Sequence, residues 1–256
     1  MKKFLAFFLI VVSLSCNRNN KIGYVVPVVD PTNTYDNRSV GVSSYDILNG
    51  KKYKAINLEI CYVLKHQLPD SVITDAVNFL NRYCYKPGGI YVSQVQLPQQ
   101  GGGLTVDNLI TIEKIYRTKY EKTGIDGVDT LGLFVLVTDG DYVEKNVLGI
   151  AYKNTSVAIF DGIITAHADT FTHPTRSSVL SAVMKHEMGH LLGLVNSGSE
   201  MQVGHQDAGH GKHCNNELCM MHYKVQTTDV VAMLNGGYIP ALDANCEADL
   251  RANGGK

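Results

Sequence analysis

His186-Glu187-Met188-Gly189-His190 is an H-E-x-x-H run. Side chains four apart lie one above the other on a helix. His186 and His190 can therefore aim two imidazoles at one metal ion, with Glu187 projecting beside them. Two imidazoles and a third nitrogen ligand leave a tetrahedral ion one open position, which suits zinc. Such an ion acidifies water and polarises a carbonyl, and Glu187 is the group to take up the proton and deliver it to a leaving amine. The same pair could arise by chance on an exposed helix, so its surroundings decide its meaning. Six of the nine histidines and two of the six cysteines lie between His186 and His222.

Gly193 extends the run to H-E-x-x-H-x-x-G, and here the chain resembles the metzincin clan of zinc metalloproteases. In that clan the glycine ends the helix, and a third His or Asp three residues later returns to the metal. Asn196 holds that place in this chain, and a neutral amide is a poor zinc ligand. Further on, His213 to Met221 reads H-C-x4-C-x-M. This is similar to the archaemetzincin subfamily, whose signature runs H-E-x-x-H-x-x-G-x-x-H-C-x4-C-x-M. The resemblance implies that His213 is the third zinc ligand and Met221 the methionine beneath the site. The chain departs from it by placing His213 17 positions beyond Asn196. His210 is the main rival, Asn196 and Asp207 are further alternatives, and His205 stands apart from the cysteine run. Met221-His222-Tyr223 also resembles the M-x-Y of astacin-type and serralysin-type metzincins. That implies a catalytic Tyr223 which stabilises charge on the carbonyl oxygen. The other reading of Tyr223 is a ring packed beneath the metal helix.

In archaemetzincins the cysteines of this run join a later C-x-x-C to hold a second, structural zinc. Here the late segment is Cys246-Glu247-Ala248-Asp249, with Asp249 where the last cysteine would stand. A disulfide between two of Cys214, Cys219 and Cys246 is expected, with a second zinc on those three as the alternative. Cys61 and Cys84 could pair or remain buried thiols.

The elements that must carry these groups follow from periodicity. Residues 54–64 alternate as a strand, with Ile56, Leu58, Ile60, Tyr62 and Leu64 on one face. Pro69-Asp70-Ser71 opens a helix with apolar positions at Val72, Ile73, Ala76, Val77 and Leu80. Residues 90–97 read as a strand, 106–120 as a helix, and 131–137 as a central strand buried on both faces. Short strands at 149–152 and 156–160 flank a polar turn, and residues 147–160 resemble the strand pair that borders the metzincin cleft. Such an edge strand would bind an extended peptide through its main chain. Thr175 or Ser177 caps a long helix over 178–194, and shorter helices are expected near 227–234 and 244–252. Lys114, Arg117, Lys119 and Lys122, with Glu113 and Glu121, read as a solvated helix face. Asp139-Gly140-Asp141 reads as a turn, and His167 and His173 as polar loop residues.

Met1-Lys2-Lys3 and the apolar run to Leu14 read as an export signal, too short to span a bilayer. Ser15 before Cys16 resembles a bacterial lipobox. The expected organisation is a signal peptide over 1–15, a lipid-anchored tether over 16–52 leading into the fold, and one domain over 53–256. The protein would then be exported to the bacterial cell envelope and held at the membrane through Cys16. A net charge of −1 offers no basic surface for nucleic acid, and 45% hydrophobic residues suffice for a core.

The expectation is an α+β, zincin-like single domain, with a mixed twisted sheet over an active-site helix. Its function would be zinc-dependent hydrolysis of polypeptide substrates, with His186, His190 and His213 as ligands and Glu187 as general base and acid. A lipoprotein that keeps this scaffold as a non-catalytic binding module is the alternative, and hydrolysis of non-peptide amides is a third possibility.

Overall fold

A computed structural model of the chain describes residues 38–121, 129–168, 174–234 and 238–256. The export signal, Cys16, the tether up to residue 37, Lys122 and His173 lie outside the described residues.

Five strands form one sheet: β1 (Ala55–Val63), β2 (Gly89–Leu97), β3 (Thr130–Thr138), β4 (Gly149–Lys153) and β5 (Ser156–Phe160). Their order is β2-β1-β3-β5-β4. The first four positions are parallel, and β4 runs antiparallel to β5 at one edge. β3 lies at the centre, and its seven residues 131–137 are all buried, as an unbroken apolar run demands. Alternation along the strands divides the interior into two cores. Ile56, Leu58, Ile60, Leu133, Val135 and Ile159 face one side, while Cys61, Phe134, Leu136 and Phe160 face the other.

The first core is covered by α2 (Asp70–Tyr83) and α5 (Arg176–Leu191), and the second by α3 (Val106–Tyr116). Short helices α1 (Ser44–Leu48), α4 (Asp161–His167), α6 (Val230–Leu234) and α7 (Ala244–Ala252) complete the α+β arrangement. α1 falls within the stretch read as a tether, yet its Ile47 and Leu48 are fully buried. α4 was not expected from the sequence.

α3 begins where Thr105 and Asn108 form a reciprocal capping box, but it stops at Tyr116, four residues short of the expected end. The cause is Arg117, which turns inward and is fully buried. Its guanidinium donates to Glu113 Oε1 at 2.6 Å, Gly132 O at 2.9 Å and Thr155 Oγ1 at 3.1 Å. The reading of Glu113 and Arg117 as a solvated face is therefore corrected: they are a buried ion pair. Main-chain N–H groups of Thr118 and Lys119 then donate to the buried Glu59 carboxylate. The crossing chain passes so close to β3 that a Cβ on Gly132 would stand 2.1 Å from Lys119 O.

Candidate metal centre

α5 carries the H-E-x-x-H run through the middle of the protein. Thr175 caps it, its hydroxyl accepting from Ser178 N at 3.2 Å. From Val179 to Leu191 every residue but Lys185 is buried, so this is an interior helix. Gly193 ends it with φ +86, a conformation that suits glycine, and a Cβ there would stand 2.4 Å from Ser199 N.

After that turn the chain makes its excursion and is pinned on return. Asp207 N donates to His213 O at 2.8 Å and Asn215 N to His205 O at 2.9 Å. The pinning delivers His213 to the helix pair. The Nε2 atoms of His186 and His190 are 3.1 Å apart, and ligand atoms of all three imidazoles lie within 4.8 Å of one another.

Each ring is oriented by a main-chain carbonyl. His186 Nδ1 donates to Met220 O at 2.7 Å, His190 Nδ1 to Leu194 O at 3.1 Å and His213 Nδ1 to His210 O at 2.8 Å. With the proton on Nδ1, every Nε2 presents a lone pair. Two lone pairs at 3.1 Å repel unless a cation lies between them, and the buried His213 Nε2 has no hydrogen-bond partner. Burial, and the rings' effect on one another, disfavour charge on the two helix-borne imidazoles: His186 is held well below its ordinary pKa and His190 is lowered to about 3. Nitrogens bound to tetrahedral zinc at about 2.1 Å stand about 3.4 Å apart, so the donor set fits that ion.

Glu187 is fully buried beside the ligands. Its Oε2 accepts from Ala151 N of the edge strand β4 at 2.7 Å, while Oε1 has no partner. Burial raises its pKa to about 8, and the Ala151 N–H offsets part of that rise. Gly149 permits the approach, because a Cβ there would stand 2.6 Å from Val183 Cγ1 and 2.9 Å from Glu187 Oε1. Glu187, His190 and His213 line an open cleft of about 620 Å³, with Ile150 and Ala151 on the β4 side.

The other candidates fall elsewhere. Asn196 lines the cleft outside the ligand group. His210 is exposed and pairs with Asp207 Oδ2 at 3.0 Å. Tyr223 stacks on the His210 ring at 3.5 Å between centroids and is not among the cleft-lining residues. His167 and the Asp139-Gly140-Asp141 turn border a separate, smaller pocket.

Cys214, one residue beyond His213, opens a second cluster. All five cysteines among the described residues are free thiols, so the expected disulfide is not formed. Cys219 Sγ and Cys246 Sγ are 3.6 Å apart. His205 Nδ1 lies 3.3 Å from Cys214 Sγ and 3.9 Å from Cys246 Sγ. Asp249, where the late cysteine was missing, instead accepts from His205 Nε2 at 2.8 Å and fixes the ring with Nδ1 toward the sulfurs. The neighbouring thiols of Cys214 and Cys246 pull the Cys219 thiol below its ordinary pKa, so the buried cluster favours a thiolate there. Sulfurs and nitrogens on a tetrahedral zinc lie about 3.5 to 3.8 Å apart, and the separations of 3.3, 3.6 and 3.9 Å lie close to that range. Asp243 belongs with His205, Cys214 and Cys246 to a group whose ligand atoms lie within 4.8 Å of one another, and Cys219 adjoins it through Cys246; Asp243 Oδ2 lies 3.3 Å from Cys214 Sγ, while its Oδ1 caps α7 by accepting from Cys246 N at 2.9 Å. Sequence reasoning missed His205 as a member of this cluster, since only the folded loop reveals its Asp249 partner 44 positions away.

No protein-family model and no curated protein matches the sequence. Among solved structures the chain is similar to an archaemetzincin from Methanopyrus kandleri, at 14% identity and a TM-score of 0.49, over 78% of this chain and 96% of that one. It is also similar to metalloproteinase-II from Bacteroides fragilis, at 14% identity and a TM-score of 0.40, over 80% of this chain and 55% of that one.

Proposed function

We propose that this chain is a zinc-dependent metalloendopeptidase of metzincin type, exported and anchored at the bacterial envelope through a lipid on Cys16. One observation carries the enzymatic reading. Three imidazoles have their Nε2 atoms gathered at one point, with every Nδ1 committed to a main-chain carbonyl. The envelope address rests on the basic and apolar leader ahead of Ser15-Cys16.

His186, His190 and His213 would hold the ion. Zinc bound there supplies Lewis acidity, polarising a carbonyl and lowering the pKa of water towards about 7. Glu187 moves the proton: its free Oε1 accepts it from the attacking water and returns it to the departing amine. Burial raises the pKa of that carboxyl, which helps it hold the proton between the two transfers. The Ala151 N–H holds the other oxygen and so aims Oε1. β4 has its outer edge free of any strand among the described residues, and Ile150 and Ala151 border the cleft there. With the Ala151 N–H committed to Glu187, a polypeptide laid along that edge would meet its remaining main-chain donors and acceptors. Cys214, Cys219, Cys246 and His205 would hold a second ion of structural role, next to the loop that presents His213.

The test is metal content with peptide cleavage. The purified protein should carry zinc and lose cleavage on chelation. Glu187→Gln should keep the zinc and lose about 100-fold to 10,000-fold in kcat. Cleavage by that variant at the parental rate would overturn the mechanism.

A further inference from the structure

The cleft is electrostatically lopsided. Among its described lining residues Lys212 is the one cation and Glu187 the one acid; Ser39, Asn196, Ser197 and Gln226 are uncharged. Glu187 is committed to proton transfer in the reading given above. Apart from the ion itself, a charged group on a substrate would therefore find one countercharge among the side chains of the cleft, and it is positive.

Lys212 is held in place. It is a non-glycine residue at φ 71, and Asn196, which faces it, is another at φ 53. Left-handed backbone is uncommon for such residues and collects at functional sites. Lys212 O accepts from Val195 N at 3.4 Å, and Lys212 Nζ donates to Asn196 O at 2.8 Å. That contact uses one of three ammonium donors and leaves the charge unneutralised, since a carbonyl carries none. The residue belongs to the loop that separates Asn196 from His213, in which this chain departs from the archaemetzincin spacing.

We propose that Lys212 selects substrates bearing a carboxylate close to the scissile bond, on an acidic side chain or at a free C-terminus. This rests on the peptidase reading, and the two can fail separately. Zinc-loaded parent and Lys212→Gln are given fluorogenic peptides that differ in one group. One set has Glu scanned through the positions flanking the bond, with an amidated C-terminus. A second has Gln in its place, and a third has Gln with a free C-terminal carboxylate. The parent should favour one of the carboxylate sets about 10-fold in kcat/KM, and which set wins identifies the source. Lys212→Gln should bring that ratio close to one, and Lys212→Glu should turn it towards a peptide carrying Lys. Calorimetric titration of the same peptides into Glu187→Gln reads the selectivity without turnover. Preferential binding of carboxylate peptides by a parent that cleaves nothing would sink the peptidase reading and leave Lys212 in its role. Equal treatment of all three sets, a ratio unchanged by Lys212→Gln, or no binding of any peptide would overturn the assignment.

Discussion

The sulfur of Met221 lies directly against Gly189: a Cβ on that glycine would stand 2.3 Å from Sδ. The helix bearing His186 and His190 thus rests on the residue that closes the loop returning from His213, and Met221 O also accepts from Cys214 N at 2.8 Å. Two ligands on the helix and one on the loop are set at a fixed distance by this contact. Gly189→Ala should cost about 1–3 kcal/mol from overpacking. Met221→Ala should cost about 2–5 kcal/mol from the cavity it leaves. Combined, they should cost less than their sum by at least about 0.5 kcal/mol, because the truncated methionine makes room for the new methyl. Urea unfolding of the four proteins reads this coupling, and strictly additive values would mean that the contact carries no energy.

The third ligand gives a sharper contrast between neighbours. His213 points its Nε2 at the helix pair, whereas His210 supplies only its main-chain carbonyl and a ring stacked on Tyr223. His210→Ala keeps the carbonyl, so zinc affinity at the first site should fall less than about 10-fold. His213→Asn removes a direct ligand, and its loss should exceed the roughly 100-fold upper bound for an outer partner. Competition against a chromophoric chelator measures both. The reverse ranking would make His210 the ligand.

Local patterns were legible in the sequence, and distant pairings were not. The i, i+4 histidines, the Thr175 cap and the Gly193 stop are each encoded within a few residues, and they place α5 and two ligands. His213 was reachable only through the cysteine run beside it, because no periodicity spans the loop that precedes it. Arg117 defeated the pattern outright. Its spacing matches an exposed helix face, and its burial depends on Glu113, Gly132 and Thr155, which come together only in the folded sheet. α4 escaped for another reason: it is seven residues long and follows β5 with no intervening turn to announce it.

The thiol cluster should bind a second zinc that responds to a carboxylate it never touches. Asp249 is fully buried and accepts from both His205 Nε2 and Gln202 N, which fixes the tautomer that presents Nδ1 to the sulfurs. Asp249→Asn keeps the shape and weakens the acceptor. The protein should titrate two zinc ions per chain, and this variant should bind one of them about 10–100-fold more weakly. Cys219→Ser should remove that ion altogether. A parent that binds a single ion, or an Asp249→Asn protein with both affinities unchanged, would rule out the Cys3His site.

The ion pair beneath the sheet is a matter of stability, away from the cleft. Arg117 has no exposed surface, and its Glu113 partner is 7% exposed at the side chain. Deleting the carboxylate leaves a guanidinium stranded in a low-dielectric interior, whereas replacing both partners removes the desolvation cost with the attraction. Glu113→Ala should therefore destabilise by about 3–5 kcal/mol. The double change Glu113→Leu with Arg117→Met should recover most of that loss, although the carbonyls of Gly132 and Lys119 lose their donor and hold the recovery short of complete. Denaturant midpoints of the two proteins decide the matter. A single variant that loses under about 1 kcal/mol would show that water reaches the guanidinium and that the pair is not sealed beneath β3.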